Sequence, residues 1–581
     1  MRIEPVSNQP TAAPARRADT AAKVAEPRDG VGPARTTEDP SYKARSDLSA
    51  GEVSAPRVEE PHHEEDVGVP VAVLKEVTRE AMESRGLTIG FSPEALEQVE
   101  KMGGPVPLEG EGVRDLRHLK WASIDNADTK DIDQLAFAED LGGGRRRLLV
   151  AIADVAEAFD KGTPLDEQCQ LNTVTVYTPG EVNPMLPKQM STDWTSLNPD
   201  ADRRALVTEL IIGADGEVEK STVFEAAVRN QAKLDYVTVS DWYEKGGEPP
   251  AAMTSPEMQE QVRLQMDTGL LLGQAAQRRG ALAFETDRVL PVVENGHLVD
   301  LVNEEKNSAN EAVAHMMIAT NVANASFLHE KGFPVFQRAV PEPGRWDRMR
   351  EVAAQAASHL PEGKEMASEL AVLPADADPA ALARFLEEYK ARNPDGYGEV
   401  SLSMLKLMGG SDYVATPPGE PLQGHFGQGV SGGDLGYLHS TAPNRRYPDV
   451  VVQRLLKAAS AGQPCPYTME ELEAIADRCN QQESAAKGAE RQVRKAAVSH
   501  YLASQIGEEY EAVVTGDNPK KGTFVRVMDP PIEGKLVEGF EAVDVGDKLH
   551  IRLKAVDLEK GHIDFVRTSE VEDASSAHLS N

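Results

Sequence analysis

The residues best suited to chemistry lie in one short acidic stretch, SIDNADTKDIDQL, at positions 123–135. It holds four aspartates within nine positions, followed by Gln134; the aspartates are Asp125, Asp128, Asp131 and Asp133. Carboxylates that share one face repel each other unless a cation lies among them, and hard oxygen ligands favour Mg²⁺ or Mn²⁺. A metal held there would polarise a phosphodiester and activate water. The stretch is therefore either a metal site or a solvated acidic turn.

The elements around this stretch should bring its carboxylates together. The apolar residues WASI lead into Asp125, which predicts that this side chain ends a strand. Asp131 and Asp133 are two residues apart, so on an extended segment their side chains point the same way. Further along, GGGRRR at 142–147 indicates a hairpin turn, because no helix follows the glycines. Asp154 in AIADV is interpreted as architectural.

Composition limits the function classes. The chain has 581 residues, with 61 basic against 95 acidic side chains and a formal charge of -34. This charge argues against a protein that coats nucleic acid non-specifically, but it allows a nuclease whose cations are concentrated along one channel. The cysteines, Cys169, Cys465 and Cys479, are too few and too scattered for a disulfide framework or a zinc site. No apolar run approaches the roughly 18 residues of a membrane span, and the N-terminal residues lack a signal-peptide pattern. We therefore expect a cytoplasmic monomer without membrane contact.

Changes of composition divide the chain into five predicted parts. They are a disordered tail (1–66), a helix-turn-helix-like unit (67–112), an α/β (α+β) domain (113–505), a small β-barrel (506–570) and a polar tail (571–581). The first part has almost no large apolar side chains, and the barrel segment shows alternating strands with turns between them. In the helical unit, Ser92 is a predicted N-cap, Pro93 lies in the first turn and Gly103 ends the helix. The unit either binds nucleic acid or packs against the next domain.

Several separated motifs resemble, in order, those of the ribonuclease II/ribonuclease R family of processive 3′-to-5′ exoribonucleases. The acidic stretch comes first, and residues 165–207 follow with a tyrosine before Pro-Gly, then PMLP and SLNP. HSTAPNRRYPDVVVQRLLKA and AERQVRKA complete the series. The resemblance implies an RNB catalytic domain over 113–505 and an S1-type OB fold at the C-terminus. Bacterial members usually begin with two cold-shock OB domains, so we expect the helical unit to shape the RNA path here.

The resemblance also implies roles for individual residues. Asp125, Asp131 and Asp133 match three of the four catalytic aspartates, of which Asp133 is the most essential and Asp125 is a metal ligand. Arg445 matches the arginine that binds the phosphate near the cleaved bond. Glu490 matches the glutamate at the catalytic end of the channel, and Tyr177 matches the aromatic residue that packs on the 3′-terminal bases. Arg446 is added as a further RNA contact.

The barrel segment NPKKGTFVR offers a second set of candidate RNA contacts. They are Lys520, Lys521, Phe524 and Arg526. Lysine and arginine would neutralise phosphates while the phenylalanine stacks on a base, as in other single-strand binding surfaces. A surface hairpin with ordinary lysines is the alternative.

One departure from the family lies inside the acidic stretch. Gln134 stands where the family has its fourth aspartate, and its carbonyl oxygen would bind a cation without contributing charge. Asp128, on the neighbouring loop, is a candidate for the missing carboxylate. Metal affinity should therefore differ from that of the relatives.

The leading hypothesis is a Mg²⁺-dependent exoribonuclease (with Mn²⁺ as the alternative ion) that releases nucleoside 5′-monophosphates in RNA turnover. Its expected partner is single-stranded RNA, with 3′-tailed structured RNA as a further candidate. Gln134 motivates the alternative, a catalytically weakened homologue that acts as an RNA-binding scaffold or regulator. A DNA exonuclease is a third interpretation, and it should degrade single-stranded DNA and RNA equally.

Overall fold

The computed structural model describes residues 69–284, 289–303, 306–358, 360, 373–518, 522–527, 529–530, 532–541, 543, 547–558 and 561–568. The predicted tails at 1–66 and 571–581 and the candidates Lys520 and Lys521 lie outside these residues. The helices are α1 (Val71–Glu83), α2 (Pro93–Met102), α3 (Pro164–Asn172), α4 (Tyr236–Lys245), α5 (Pro256–Arg278), α6 (Ser308–Glu330), α7 (Trp346–Ser358), α8 (Pro379–Arg392), α9 (Pro394–Met408), α10 (Tyr447–Ser460) and α11 (Met469–Ala503).

The strands of the N-terminal and catalytic regions are β1 (Val69–Pro70), β2 (Arg114–Asp115), β3 (Ala122–Asp125), β4 (Gln134–Gly142), β5 (Arg145–Ala153), β6 (Val176–Tyr177), β7 (Val182–Asn183), β8 (Asp202–Ile212), β9 (Val218–Arg229), β10 (Ala232–Asp235), β11 (Val289–Glu294), β12 (His297–Asn303), β13 (Val335–Ala339) and β14 (Asp412–Thr416). Those of the C-terminal region are β15 (Glu509–Asn518), β16 (Gly522–Val527), β17 (Glu533–Glu538), β18 (Lys548–Asp557) and β19 (His562–Arg567).

A seven-stranded mixed sheet forms the centre of the α/β domain, in the order β10-β3-β4-β5-β8-β9-β2. Its strands are apolar on both sides because helices cover both faces. Leu149 belongs to the core that α10 completes, whereas its neighbours Leu148 and Val150 face the core formed with α4, α5 and α6. This burial fixes the register of β4 and β5, and with it the position of the acidic stretch that precedes β4.

The hairpin between β4 and β5 confirms the turn predicted from GGGRRR. The two strands pair antiparallel, and all three glycines, Gly142, Gly143 and Gly144, have positive φ. Only glycine adopts that backbone conformation without steric cost, so the tight turn depends on them.

The C-terminal strands close into a barrel in the order β15-β16-β17-β19-β18, which confirms the predicted small barrel. The alternation seen in the sequence corresponds to real burial, since Thr523, Val525 and Val527 of β16 are buried while the residues between them are half-buried. The smaller pairs are β13-β14 and β6-β7, and β1 joins β12 and β11 in a three-stranded sheet.

The helices α1 and α2 pack against the catalytic region. The buried face of α1 lies on α11, and α2 lies beside α3. The Ser92 side chain accepts a hydrogen bond from the backbone N–H of Ala95, and Gly103 is left-handed, so both predicted ends of α2 are confirmed. Among the described residues, no helix combines the length and the apolar composition that a membrane crossing needs.

Candidate active site

The acidic stretch connects β3 to β4 at one end of the seven-stranded sheet. Asp125 is the last residue of β3, as the sequence predicts. Ile132 is buried in the core, and its backbone N–H donates to Ser196 Oγ (2.9 Å), while the same hydroxyl donates to the Lys130 carbonyl (2.9 Å). Because Ser196 holds both sides of this turn, the aspartates that flank Ile132 have a fixed position.

Asp133 is the most deeply placed carboxylate of the site, with 4 % of its surface exposed. Its Oδ1 accepts a hydrogen bond from the backbone N–H of Asn444 (3.1 Å), and its Oδ2 lies 3.5 Å from Arg445 Nε. Burial raises the pKa of Asp133 to about 7, although Arg445 opposes that shift. The carboxylate is thus only partly compensated by the protein itself.

Asp125 and Gln134 face each other across the ends of β3 and β4. Gln134 donates a hydrogen bond from Nε2 to Asp125 Oδ1 (2.9 Å), so its amide nitrogen rather than its carbonyl oxygen faces the carboxylate. Among the described residues, the buried Oδ2 of Asp125 has no hydrogen-bond partner. Burial raises the pKa of Asp125 to about 6. A buried carboxylate oxygen without a partner suits a cation.

Tyr177 connects the acidic stretch to α11. Its hydroxyl donates to Asp131 Oδ2 (3.3 Å), and its backbone N–H donates to Glu490 Oε1 (3.0 Å). Burial raises the pKa of the Tyr177 hydroxyl, which therefore stays a donor at neutral pH. Tyr177 is 41 % exposed, so part of its surface remains available for stacking on a base. Tyr177 thus joins Asp131, through its hydroxyl, to Glu490, through its backbone, although these two acids are 359 positions apart.

The two neighbouring arginines have different environments. The Arg445 side chain is 45 % exposed beside Asp133, whereas that of Arg446 is 21 % exposed and donates from Nη2 to the buried Asp449 (2.8 Å). Arg445 is therefore the more accessible of the two. The RNA contact of Arg446 stays a prediction.

Asp128 differs from the other aspartates of the stretch in its environment. It is exposed in a turn, and no hydrogen bond or ion pair joins it to another aspartate within the described part of the chain. Phe524 and Arg526 lie half-buried on β16 of the barrel. The metal contact of Asp128 and the RNA contacts of the barrel remain predictions.

Sequence reasoning missed two groups that shape the site. Lys233 of β10 donates from Nζ to the carbonyls of Thr129 (2.6 Å) and Ala127 (3.3 Å), and its charge also favours ionised Asp125. Asn444 accepts from Thr195 Oγ1 (2.6 Å), and its Nδ2 is buried without a partner among the described residues. Nothing local marks Lys233, whereas Asn444 directly precedes Arg445 in a quoted motif.

The donor set fits a divalent cation, but not as a preformed trio. Asp125 and Asp133 are buried and have raised pKa values, and one buried oxygen of Asp125 has no partner among the described residues. Asp131 lies half-buried beside them. The single described group of three carboxylates with oxygens all within 4.8 Å of one another is elsewhere; it comprises Asp154, Glu157 and Glu225. Lys457 Nζ lies 2.8 Å from Asp154 and 2.6 Å from Glu225, so that second cluster already holds a cation of the protein.

Family models match two ranges of the chain. The RNB domain matches residues 113–462, and the RNase II-type exonuclease C-terminal S1 domain matches residues 508–568. The chain belongs to the RNB-domain family. The expected fold, an RNB domain followed by an S1-type barrel, is therefore confirmed. RNB-domain nucleases depend on divalent metal ions, in keeping with the donor set.

Named relatives match most of this chain. The chain is 27% identical over 510 residues to ribonuclease R of Escherichia coli K12, with 81% of this chain and 60% of the relative covered. It is 31% identical over 433 residues to exoribonuclease 2 of an E. coli O17:K52:H18 strain, with 72% and 62% covered. The chain thus spans about 60% of these relatives. Ribonuclease R of Mycoplasma genitalium, solved with ribose-methylated single-stranded RNA, shares the fold with a TM-score of 0.72 at 21% identity, covering 84% of this chain and 77% of that one.

Proposed function

We propose that this chain is a divalent-metal-dependent exoribonuclease that shortens RNA processively from its 3′ end and releases nucleoside 5′-monophosphates. One observation carries the proposal: an exposed arginine and an exposed tyrosine meet the partly compensated aspartates of an RNB domain. Arg445 lies beside Asp133, and Tyr177 contacts Asp131.

The side chains divide the work by their exposure. Tyr177 stacks on a base at the 3′ end, and because stacking accepts every base, the enzyme needs no sequence preference. Arg445 binds the phosphate next to the bond that breaks, where a planar fork suits two phosphate oxygens. Glu490 fixes the backbone of Tyr177 and so positions the terminal base.

Hydrolysis requires a proton acceptor near neutral pH. Water adds to phosphorus, the bond from phosphorus to the 3′ oxygen of the preceding nucleotide breaks, and the 5′-phosphate leaves with the terminal nucleotide. Because the aspartates are assigned to the ion, the proton of that water passes to bulk solvent. Asp125, Asp131 and Asp133 would hold the metal, for which we propose Mg²⁺, and the bound ion supplies Lewis-acid stabilisation of developing charge.

The experiment uses an RNA of mixed sequence that is labelled uniformly to follow the released nucleotides and, in parallel, at the 5′ end to follow the RNA length. It is incubated with the purified chain and Mg²⁺ or Mn²⁺. We expect 5′-mononucleotides from the first time point, full-length RNA beside a short end product, and no reaction in EDTA. A DNA strand of the same sequence should be degraded far more slowly. Absence of mononucleotides with either metal between pH 6 and 9 would refute the proposal, and a ladder of intermediate lengths would refute processivity.

Gln134 favours a second candidate function, that of an RNA-binding protein with weakened catalysis. The glutamine adds no charge to the site and occupies one oxygen of Asp125. In that case RNA binds with high affinity, Asp133→Asn changes neither binding nor turnover, and Gln134→Asp creates activity. Our proposal expects measurable turnover in the wild-type chain.

The proposed substrate is cytoplasmic single-stranded RNA, including the 3′ tails of structured RNA. The M. genitalium ribonuclease R was also solved with double-stranded RNA, at 22% identity to this chain. A labelled duplex with a 3′ tail tests this extension, because trimming that stops at the duplex would limit the substrate to single strands.

A further inference from the structure

A basic cleft lies where α1 and α11 meet Leu558 and Gly561 of the barrel. It has a volume of about 830 Å³. Its charged and imidazole-bearing lining residues are Glu80, Arg85, Arg491, Lys495 and His500. Three cations against one carboxylate stand out in a chain whose formal charge is -34.

Among the described residues, the cations of this basic cleft have no acidic partner. Within the described part of the chain, no carboxylate oxygen lies within 4.0 Å of the charged nitrogens of Arg85, Arg491 or Lys495. Lys487, one turn earlier on α11, is by contrast paired with Glu483 (2.9 Å). Unpaired cations that line one concave surface make a local positive potential despite the negative total.

The cleft is also a fixed structure. Arg85 donates from Nη1 to Gln492 Oε1 (2.7 Å) and to the Ala81 carbonyl (2.9 Å), which holds its guanidinium against α11. Gly488 permits this approach, because a Cβ there would come within 2.8 Å of Arg85 Nε. Arg491 and Lys495 are exposed and one helical turn apart, a spacing at which like charges destabilise a helix. A bound anion would remove that repulsion.

We propose that the basic cleft binds the phosphate backbone of RNA upstream of the 3′ end. This inference rests on the proposed exoribonuclease function, since α11 carries both Glu490 at the candidate active site and the cleft residues Arg491 and Lys495. The S1-type barrel contributes Leu558 and Gly561 to the rim. The described lining contains no Phe, Tyr or Trp, so the cleft reads phosphates rather than bases.

The cleft cations lie outside the two ranges that the family models match, although Arg491 and Lys495 belong to the AERQVRKA motif. The RNB domain match ends at residue 462 and the S1 domain match begins at residue 508, whereas the cleft cations lie at Arg85 and between 491 and 495. Lys495 is five residues beyond Glu490, about 8 Å along the helix axis and on another face. An RNA whose 3′ end lies at Tyr177 must extend beyond the active site to reach the cleft as well, so the cleft should favour longer substrates.

The test compares two RNAs in EDTA, where no turnover interferes with binding. Fluorescence anisotropy gives the Kd of a 30-nucleotide RNA and of a hexamer for the wild type, for Arg491→Gln/Lys495→Gln and for the matched control Lys220→Gln/Lys406→Gln. The control also removes two exposed lysine charges, but outside the cleft. Arg491→Glu serves as a second, single-site variant, and circular dichroism confirms that each variant folds.

We expect the cleft variant to lose its preference for the longer RNA while the control keeps it. Two lost phosphate contacts lower the slope of log K against log salt by about 1.5, so the drop in affinity between 50 and 200 mM salt shrinks by about eightfold. Arg491→Glu should weaken the 30-nucleotide complex more than Arg491→Gln does. Because binding is read without metal, a chain without nuclease activity would leave this result intact.

Three outcomes would overturn the inference. An unchanged salt slope in the cleft variant means that these cations do not meet phosphates. An equal loss for the hexamer places their effect at the active site. Displacement of the 30-nucleotide RNA by polyglutamate as readily as by unlabelled RNA identifies the cleft as a site for an acidic protein.

Discussion

Two acidic clusters flank the same sheet and differ in how their charge is compensated. Asp154, Glu157 and Glu225 surround Lys457, and Arg204 contacts all three carboxylates at 2.9–3.5 Å. Although burial disfavours its charge, these carboxylates hold the pKa of Lys457 above its usual value. At the candidate active site, Asp133 has only the half-exposed Arg445 at 3.5 Å, and one oxygen of Asp125 has no described partner.

This difference in charge compensation distinguishes a structural cluster from a cluster that is suited to bind a ligand. A cluster whose cations are supplied by the protein is complete, and its contribution is to hold β5, β9 and α10 together. A cluster left with an unsatisfied buried oxygen costs stability and is suited to bind something from outside. Composition alone would have made the two clusters equally good candidates for a cation site, since each contains three carboxylates.

The largest expected effect is that of Asp133→Asn on catalysis. The amide keeps the shape and an acceptor for the Asn444 N–H but loses the charge, so kcat should fall by about 1,000-fold or more. Single-turnover digestion of labelled RNA measures the change, with RNA affinity in EDTA as the control. A fall below tenfold would show that Asp133 is not the central carboxylate.

Lys457→Met tests the other cluster. Removing the ammonium leaves the buried Asp154 charge poorly compensated, which should lower the free energy of unfolding by about 3–5 kcal/mol. Urea unfolding measures it, and the exposed pair of Lys245 with Asp241 provides the control, because Lys245→Met should cost less than about 1 kcal/mol. If the two variants are equally stable, the second cluster is not structural.

A pH series without metal isolates the contribution of Asp133 to stability. Asp133 has a folded pKa of about 7 against a model value of 3.8, so between these values the unfolded carboxyl is ionised while the folded one keeps its proton. The free energy of unfolding of the wild type therefore falls as pH rises. Between pH 5 and 7, the free energy of unfolding of Asp133→Asn should rise by roughly 2–3 kcal/mol relative to that of the wild type. Parallel curves for the two proteins would contradict this.

The smallest effect is expected from Gln134→Asp. A carboxylate in place of the donor adds charge beside Asp125, and the affinity for Mg²⁺ should rise by about tenfold. Calorimetric titration of both proteins measures it, and Gln134→Asn, which keeps an uncharged amide, is the matched control. Equal affinities in all three would mean that residue 134 does not face the ion.

Much of the fold could be predicted because burial and backbone geometry leave local patterns. The barrel alternation, the glycine hairpin and the caps of α2 at Ser92 and Gly103 are each encoded within a few residues. The positions of Asp125 and Tyr177 could be proposed for a similar reason, since both lie in motifs at strand ends. The contacts of Lys233 and the pairing of Arg446 with Asp449 could not, because each depends on a side-chain direction that neighbouring residues do not set.

The sequence by itself determined the order of the motifs and the placement of an acidic stretch at the end of a strand. Only the tertiary structure decided which acids stay uncompensated. Asp154 and Asp133 both flank buried strands, yet Lys457, 303 positions away, packs against the first, while Gln134 and a half-exposed Arg445 lie at the second site. Charge compensation depends on side chains that meet through packing of distant elements, and local periodicity carries no record of them.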